Sequence, residues 1–324
     1  MMEIYTSLDQ INISEKTSVA LGNFDGLHEG HRVIMEDAIR SAKEQGLRSL
    51  CFTFSNHPFN FILQRSDDDP DAVKLICTEE EKIELVRGMG FDILVNVPFD
   101  ETIMKMRAHA FFEDIIIGVL NAGCVSVGFN YTYGARAEGK PGDLVRECEA
   151  AGIGVNIHEA VTVGGRVVSS TLIREMISTG NMERTAMYLG RPYSFSGKVR
   201  HGRHLGSKNG FPTVNIPAPD RQMLPPSGVY FSRIVICGIE YKSISNIGVN
   251  PTVNQDDDHA ELTTKPHKTI ETFIFDFDKD IYGDEITVYF DHFSRGERKF
   301  RSREELFEQI SRDCDQARAF HYNE

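Results

Sequence analysis

The segment VALGNFDGLHEGH, residues 19–31, passes from an apolar run through a glycine-rich turn into a helical pattern. Short apolar runs and helix-period segments alternate in this way along the first half of the chain. Such alternation is typical of an α/β fold with a parallel sheet covered by helices on both faces. The sequence predicts strands at 19–24, 49–54, 92–97, 124–128 and 154–158, and helices near 31–45, 79–89, 109–122, 142–151, 170–179 and 183–189.

A glycine follows each of four predicted helices, at Gly46, Gly90, Gly123 and Gly152. The residue after a helix often adopts a left-handed conformation, which glycine reaches without a Cβ clash. We therefore expect these glycines to end their helices.

The turn itself predicts a phosphate site. His28 and His31 lie three residues apart where the first strand meets the first helix, and a helix N-terminus favours anions. Gly22, Gly26 and Gly30 would let a phosphate chain approach the backbone. Both histidines would project to one side and could stabilise charge during nucleotidyl transfer. The alternative, that they are capping or packing residues, is weakened because the motif follows the first strand of an α/β pattern.

Two further segments of the first half carry polar groups that suit a nucleotide. VSSTLIR, residues 168–174, begins a predicted helix with three hydroxyls and places Arg174 one turn later, where it could clamp a triphosphate. VGFNYTYG, residues 127–134, puts Asn130 after the fourth strand, with Tyr131 and Tyr133 able to contact a flat ring. An ordinary helix cap and a tyrosine-rich loop without function remain the alternatives.

The second half changes character after residues 190–193, where Gly-Arg-Pro-Tyr interrupts the helical pattern. The runs 229–236 and 240–247 flank a tight turn at 237–239 and predict a hairpin. The runs 271–277 and 285–290 alternate apolar and polar residues, as antiparallel strands do. A small barrel is the natural closure of such strands, and a helix near 303–320 follows.

A glycine-punctuated segment, GRHLGSKNGFPTVN at 202–215, suits a second phosphate cradle. Thr213 and Asn215 supply the hard oxygen ligands that Mg²⁺ prefers. The segment lacks the GxxxxGK[ST] pattern of a Walker loop. Glu271 is a candidate proton acceptor for phosphoryl transfer to an alcohol, by position only. A turn-rich connection and a solvent-facing carboxylate are the alternatives.

Composition narrows the functional classes. The 324 residues suggest two domains, and 48 acidic against 35 basic residues give a net charge of −13, which disfavours nonspecific nucleic-acid binding. No apolar run approaches the ~18–20 residues that span a bilayer, and the first residues lack a signal-peptide pattern. The six cysteines are scattered, as reduced thiols would be. We expect a cytoplasmic protein without nucleic-acid, membrane or obligate protein partners.

Taken together, these motifs resemble the prokaryotic bifunctional riboflavin kinase/FMN adenylyltransferase (FAD synthetase) family over nearly the whole chain. The resemblance implies a Rossmann-like nucleotidyltransferase domain at 1–185 and a six-stranded antiparallel riboflavin-kinase β-barrel with a C-terminal helix at 186–324. It also implies Mg²⁺, with riboflavin, FMN, FAD and ATP as substrates and products. The matching segments are ALGNFDGLHEGH, VGFNYTYG, VSSTLIRE, YLGRPYSFSGKVRHGRHLGSKNGFPTVNI, PPSGVY, SNIGVNPTV, IETFIFDFDKDIYG and FSRGERKF.

The resemblance assigns roles to individual residues. Catalytic roles fall to Glu271 in the kinase half and to His28 and His31 in the adenylyltransferase half. Tyr131 and Arg295 would contact flavin, and Thr213 and Asn215 would position Mg²⁺–ATP. The implied nucleotide-binding residues are Gly22, Asn23, Phe24, Asp25, Gly30, Asn130, Ser169, Ser170, Thr171 and Arg174 in the first half, and Gly202, Gly206, Lys208, Pro212, Thr213 and Asn215 in the second.

One segment departs from the family pattern. Residues 53–58 are TFSNHP, so Ser55 replaces a carboxylate and Asn56 replaces a proline. A missing carboxylate beside Mg²⁺–ATP could weaken FAD formation. The alternatives to a bifunctional enzyme are therefore a riboflavin kinase with a weakened or inactive adenylyltransferase domain and, from another class, a non-catalytic flavin or nucleotide sensor.

Overall fold

The computed structural model describes residues 1–66, 69–200, 213–250 and 267–320. The chain divides into two compact units, Met1–Ser170 and Thr171–Glu324. This division precedes the predicted domain boundary at residue 185. The end of a compact unit need not coincide with the end of a functional domain. The domain boundary at 185/186 therefore stays a prediction.

The first unit is built on a parallel six-stranded sheet with the order β1-β4-β3-β2-β5-β6. The parallel pairing confirms the predicted class. Strands β2 and β5 are neighbours, and the chain leaves them toward opposite edges of the sheet, which makes a crevice at their carboxyl ends. The strands are β1 (Glu3–Tyr5), β2 (Thr17–Leu21), β3 (Arg48–Phe54), β4 (Ile93–Val97), β5 (Ala122–Gly128) and β6 (Gly154–His158), with a separate hairpin of β7 (Thr162–Val163) and β8 (Arg166–Val167).

Helices pack on both faces of this sheet. Alternate residues of each strand point to opposite sides, so each face has its own buried cluster. On one face Ala20, Cys51 and Leu94 join a buried cluster with residues of α1 and α3. On the other, Leu50 and Ile93 join a larger cluster. The helices are α1 (Glu29–Gln45), α2 (Pro58–Ile62), α3 (Glu79–Met89), α4 (Glu101–Lys105), α5 (Ala108–Ala110), a π-helix (Phe111–Val119) and α6 (Pro141–Ala151), with α7 (Ser170–Ser178) beginning at the last residue of the unit.

The prediction of a helix at 109–122 is wrong in the type of helix and in the residue at which the helix ends. A short α5 leads into the π-helix, and the amide of Leu120 donates to the carbonyl of Ile115, five residues back, at 2.8 Å. Gly123 lies inside β5 and ends no helix. Asn121 takes the left-handed conformation instead, with φ 49°, and its side chain donates to the carbonyls of Ser14 and Glu15. Asparagine tolerates this conformation, so glycine was not required.

The second unit is an antiparallel six-stranded sheet with the order β10-β13-β12-β11-β14-β9. The amide of Arg200 donates to the carbonyl of Asn215 at 2.8 Å, which joins the two edges of the sheet as a barrel requires. The predicted hairpin is confirmed, with its turn at Cys237 and Gly238. The elements are α8 (Met182–Leu189), β9 (Tyr193–Lys198), β10 (Thr213–Pro217), β11 (Gly228–Ile236), β12 (Ile239–Asn250), β13 (His267–Ile274), β14 (Glu285–Gly296) and α9 (Arg303–Ala319).

Two segments in this unit differ from expectation. Glu271 lies in the middle of β13 and does not open it, because the strand begins at His267. Thr213 and Asn215, predicted to end a loop, lie on strand β10. Both differences move polar side chains onto the face of a sheet, where strand pairing decides their neighbours.

The cysteines behave as the sequence predicts. All six are free thiols, five of them buried and Cys237 exposed. Among the residues that the structure describes, no helix has both the length and the apolar character needed to cross a bilayer.

Candidate functional sites

A cavity of about 900 Å³ opens where the strands of the first unit end. It is lined by the segments that follow β2, β3, β4 and β5, which is the edge where open α/β sheets bind ligands. Aromatic side chains form much of its wall, a surface that suits flat heterocyclic rings. They are Phe24, Phe52, Phe54, Phe59, Phe99, Phe111, Tyr131 and Tyr133.

His28 and His31 lie together, as predicted. Their rings stack with centroids 3.5 Å apart, and His31 lines the cavity. His28 is the N-cap of α1, and its Nδ1 accepts a hydrogen bond from the amide of His31 at 3.2 Å. A ring nitrogen that accepts leaves the proton on Nε2. His28 therefore has both the capping role of the alternative interpretation and a ring N–H.

Burial lowers the pKa of His31 well below its usual value, and the electrostatic influence of the neighbouring His28 and Lys82 side chains lowers it further. His31 is thus neutral at physiological pH. Its Nδ1 is buried and has no hydrogen-bond partner among the residues that the structure describes. Unsatisfied buried groups are rare exceptions in proteins, and functional sites are one place that tolerates them.

The glycines of the turn have a packing role that the sequence did not show. A Cβ at Gly22 would lie 2.7 Å from the ring of Phe24, and one at Gly26 would lie 2.7 Å from Ile76. A Cβ at Gly30 would come within 3.2 Å of the His28 ring. These positions are filled by the protein's own side chains. Glycine is therefore required here for the close packing of the turn, and approach of a phosphate remains a prediction.

Asp25 also lies inside the turn. It is buried, and its Oδ1 accepts a hydrogen bond from the amide of Ile76 at 2.9 Å. Its carbonyl accepts from the hydroxyl of Ser170 at 3.1 Å. The described contacts of Asp25 and Ser170 therefore hold the turn in place. Ser169 is half-buried just before α7. Thr171 and Arg174 lie on α7 in the second unit, and triphosphate binding by all four residues of that segment stays a prediction.

The segment after β5 reaches the cavity as expected. Asn130 is exposed and lines it, and the rings of Tyr131 and Tyr133 stack with centroids 5.8 Å apart. Burial raises the pKa of the Tyr131 hydroxyl. The Tyr133 hydroxyl donates to Glu147 at 2.5 Å, which fixes its ring. These side chains form a rigid aromatic edge beside the end of β5.

Asn56, which the sequence marked as a loss, holds part of the aromatic wall. Its Nδ2 donates to the carbonyl of Phe99 at 3.0 Å, and its Oδ1 accepts from the Phe99 amide at 2.7 Å. The Phe99 ring packs edge-on against Phe54 at 5.2 Å. Neither Ser55 nor Asn56 is among the described residues that line the cavity. Sequence analysis missed Phe54 and Phe99, whose only signal was their place at strand ends.

A second cavity, of about 670 Å³, lies on the outer face of the antiparallel sheet beneath α9. Strand pairing sets Asn215 opposite Glu271, Glu271 opposite Asn246, Asn246 opposite Val229, and Val229 opposite Arg295. Directly paired residues share a face of the sheet. Three predicted residues from separate segments therefore stand in one row, and Glu271 and Arg295 both line the cavity.

Thr213 joins this group from the next row, opposite Phe273, and lines the same cavity. Asn215 is buried at the edge of the row. Apolar side chains of α9 cover the cavity, among them Phe307 and Ile310. Gly202, Gly206, Lys208 and Pro212, predicted as part of a phosphate cradle, lie outside the described residues.

Arg295 has a partner that sequence analysis missed. Its Nη2 donates to Asp313 of α9 at 2.6 Å, and its Nε lies 3.1 Å from the same carboxylate oxygen. Asp313 is buried, and Gln309 donates to its other oxygen at 2.6 Å. A two-point guanidinium–carboxylate contact fixes orientation as well as distance. Arg295 therefore ties α9 to β14 over the cavity, and direct contact with flavin stays a prediction.

Comparison with known proteins covers both units. The family model described as FAD synthetase matches residues 10–172, and the one described as riboflavin kinase matches residues 189–321. The bifunctional riboflavin kinase/FMN adenylyltransferase of Bacillus subtilis (strain 168) is 33% identical over 93% of this chain and 92% of its own. The protein of the same name from Escherichia coli (strain K12) is 30% identical over 93% and 92%.

A solved structure shares the fold. A crystal structure described as a macrolide-efflux protein from Streptococcus pneumoniae matches with a TM-score of 0.87 and 28% identity, and the match covers 99% of both chains. The similarity of sequence and of fold thus extends over nearly the whole length.

Proposed function

The chain belongs to the bifunctional riboflavin kinase/FMN adenylyltransferase family, and we propose that each of its two cavities carries one reaction. One observation supports this assignment above all. The first cavity lies entirely within the FAD synthetase match, and the second lies entirely within the riboflavin kinase match. The protein is an enzyme of flavin cofactor synthesis. It converts riboflavin and ATP to FMN and ADP, and FMN and ATP to FAD and pyrophosphate.

In the second cavity, Glu271 is the proposed proton acceptor. The terminal hydroxyl of the ribityl chain loses its proton to this carboxylate while its oxygen attacks the γ-phosphorus of ATP. The bond between that phosphorus and the β,γ-bridging oxygen breaks, and ADP leaves. In this proposal the reacting groups would lie over the row from Asn215 to Arg295, and the apolar side chains of α9 that line the cavity would limit the access of water.

The oxygen ligands in this row and the next one fit a Mg²⁺ ion that is held mainly by nucleotide phosphates. The side chains of Thr213, Asn215 and Glu271 offer hydroxyl, amide and carboxylate oxygens, which are hard ligands. When bound, the ion would neutralise phosphate charge. Thr213 and Asn215 would orient the nucleotide tail toward Glu271.

In the first cavity the attacking group is the phosphate of FMN, which is already an anion and needs no base. Its oxygen attacks the α-phosphorus of ATP, and the bond to pyrophosphate breaks. His28 and His31 would donate hydrogen bonds to phosphate oxygens as charge builds on them. The aromatic wall would hold the flat rings of the two substrates.

A product-resolved assay on the purified full chain tests the proposal. Riboflavin with ATP and Mg²⁺ should yield FMN and ADP, and FMN with ATP and Mg²⁺ should yield FAD and pyrophosphate. FMN formation without FAD would favour the kinase with a weakened first domain. Tight binding of both nucleotides without any product would favour the sensor. The contacts of Asn56 argue against the weakened form, because they support the cavity wall.

The partners and location of the protein remain proposals. We propose that it acts in the cytoplasm on small molecules and needs no nucleic acid, membrane or obligate protein partner. The net charge of −13 supports the absence of a nucleic-acid partner.

A further inference from the structure

Lys82 is a buried cation that the proposed reaction does not yet use. It lies in the first turn of α3, and only 5% of its surface is exposed. Lysine is almost never buried to this degree unless it is paired. The burial of Lys82 next to the turn between β2 and α1, which is proposed to bind nucleotide, therefore needs a physical explanation.

The ammonium of Lys82 joins two strand ends. Its Nζ donates to the carbonyl of Phe54 at 2.8 Å and lies 3.4 Å from the carbonyl of Asn23. Phe54 is the last residue of β3, and Asn23 lies just beyond the end of β2. The hydroxyl of Thr53 donates to the same Asn23 carbonyl at 2.9 Å. Lys82 and Thr53 thus hold the start of the turn from behind.

Both acceptors of Lys82 are neutral. Among the described residues, no carboxylate forms an ion pair with its Nζ, although Glu79 on the same turn pairs with the amide of Asn96 at 2.7 Å. A buried charge without a counter-ion is costly to fold. A bound anion near the turn would offset that cost. The positive charge of Lys82 already reaches His31, whose pKa it lowers.

We propose that Lys82 is a positioning residue for FMN adenylylation, one that holds the Asn23 turn and supplies positive potential behind the polyphosphate of ATP. This inference depends on the proposed function of the first cavity. Lys82 acts through the turn and through its field, without touching the substrate.

The test replaces Lys82 by Met, which keeps the length of the side chain and removes the charge. Arg87→Met is the matched control, because Arg87 is an exposed cation on the same helix. Lys82→Met should lower kcat/KM for FMN to FAD by about 10- to 100-fold, the range for groups that hold a ligand-binding residue from behind. Arg87→Met should leave it unchanged. Riboflavin phosphorylation by the second unit should stay the same in both variants, and thermal unfolding followed by circular dichroism reports whether the first unit of each variant is folded.

A second measurement distinguishes the effect of the Lys82 charge from the effect of its hydrogen bonds to the two carbonyls. Burial lowers the pKa of His31 most, and the charge of Lys82 contributes to the same direction of shift. Removal of the Lys82 charge should raise the His31 pKa, measured by NMR titration of histidine-labelled protein with His31→Gln for assignment. Lys82→Gln keeps donors for the two carbonyls and should show the same rise. Thr53→Val removes a neutral donor and should leave that pKa in place.

The inference is overturned if Lys82→Met or Lys82→Gln forms FAD as fast as the wild type, or if the His31 pKa stays unchanged in both. Should the first unit of Lys82→Met fail to fold, Lys82→Gln decides. A wild-type protein that makes no FAD from FMN would contradict the proposed function itself. Wild-type activity with unaffected variants would contradict the role of Lys82 alone.

Discussion

The two cavities are built in opposite ways. The first lies at the carboxyl ends of parallel strands, and its walls come from short segments that follow a strand, such as residues 22–24 after β2. The second lies on the face of an antiparallel sheet, and five of the six strands contribute one residue each to a row, from Asn215 to Arg295. A loop at the end of a strand brings several neighbouring residues of the sequence into a site. The face of a sheet instead brings together single residues from separate strands. A motif is therefore visible in the sequence of the first unit, and a site in the second depends on register.

Loss of Glu271 should have the largest effect. Glu271→Gln keeps the shape of the side chain and removes the proton acceptor, so FMN formation should fall by ~10²–10⁴-fold. FAD formation from FMN should not change, because that cavity lies in the other unit. Chromatographic separation of the products from each substrate measures both. A joint fall of the two rates would contradict separate sites.

His28→Ala should do the reverse, with FAD formation reduced by ~10²–10³-fold and FMN formation unchanged. Because His28 caps α1, the variant should also lose about 1 kcal/mol of stability. His28→Asn is the control, since asparagine caps helices well but offers no ring N–H in the same place. Full activity of His28→Asn would show that capping is the only role of His28.

Arg295→Met should have a moderate effect on the second cavity. If Arg295 acts by holding Asp313, the KM for riboflavin should rise about tenfold, equivalent to about 1.4 kcal/mol. Asp313→Asn should cause a similar rise, and the double variant should be little worse than either. Additive losses in this double-mutant cycle would instead point to independent roles, such as direct contact of Arg295 with flavin.

Asn56→Ala should have the smallest effect. It removes both hydrogen bonds to the backbone of Phe99 and should cost about 1–3 kcal/mol of stability. With Phe99 less firmly held, the KM for FMN should rise a few-fold while kinase activity stays constant. Ser55→Ala, one residue away, should change neither value. An unchanged KM in Asn56→Ala would separate this asparagine from the aromatic wall.

Much of the first unit could be predicted from local pattern. Helix 79–89 matches α3, strand 154–158 matches β6, and the stacking of His28 on His31 follows from their spacing on one helical turn. The failure at Gly123 has a cause that is not local. Asn121 adopts the left-handed conformation expected of Gly123, and its side chain donates to the carbonyls of Ser14 and Glu15, just before the neighbouring strand β2, which no local pattern shows.

The site in the second unit could be predicted from the sequence to a smaller extent. The resemblance assigned Thr213, Glu271 and Arg295 to the kinase half, but nothing in the spacing between them indicates that they line one cavity. Their meeting depends on how β10, β13 and β14 pair, and a shift by one residue would turn each side chain to the other face. The bond from Arg295 to Asp313 depends further on where α9 packs.

By itself the amino-acid sequence determined the α/β and antiparallel character of the two halves, because hydrophobic periodicity and turn residues act over a few neighbours. It also determined which side chains can bind phosphate or accept a proton. Only the tertiary structure decided that the turn's glycines serve packing, that Lys82 lies buried behind them, and that Glu271 stands in a row with Arg295. These arrangements join residues far apart in the chain, and contacts of that kind are set by packing and strand register.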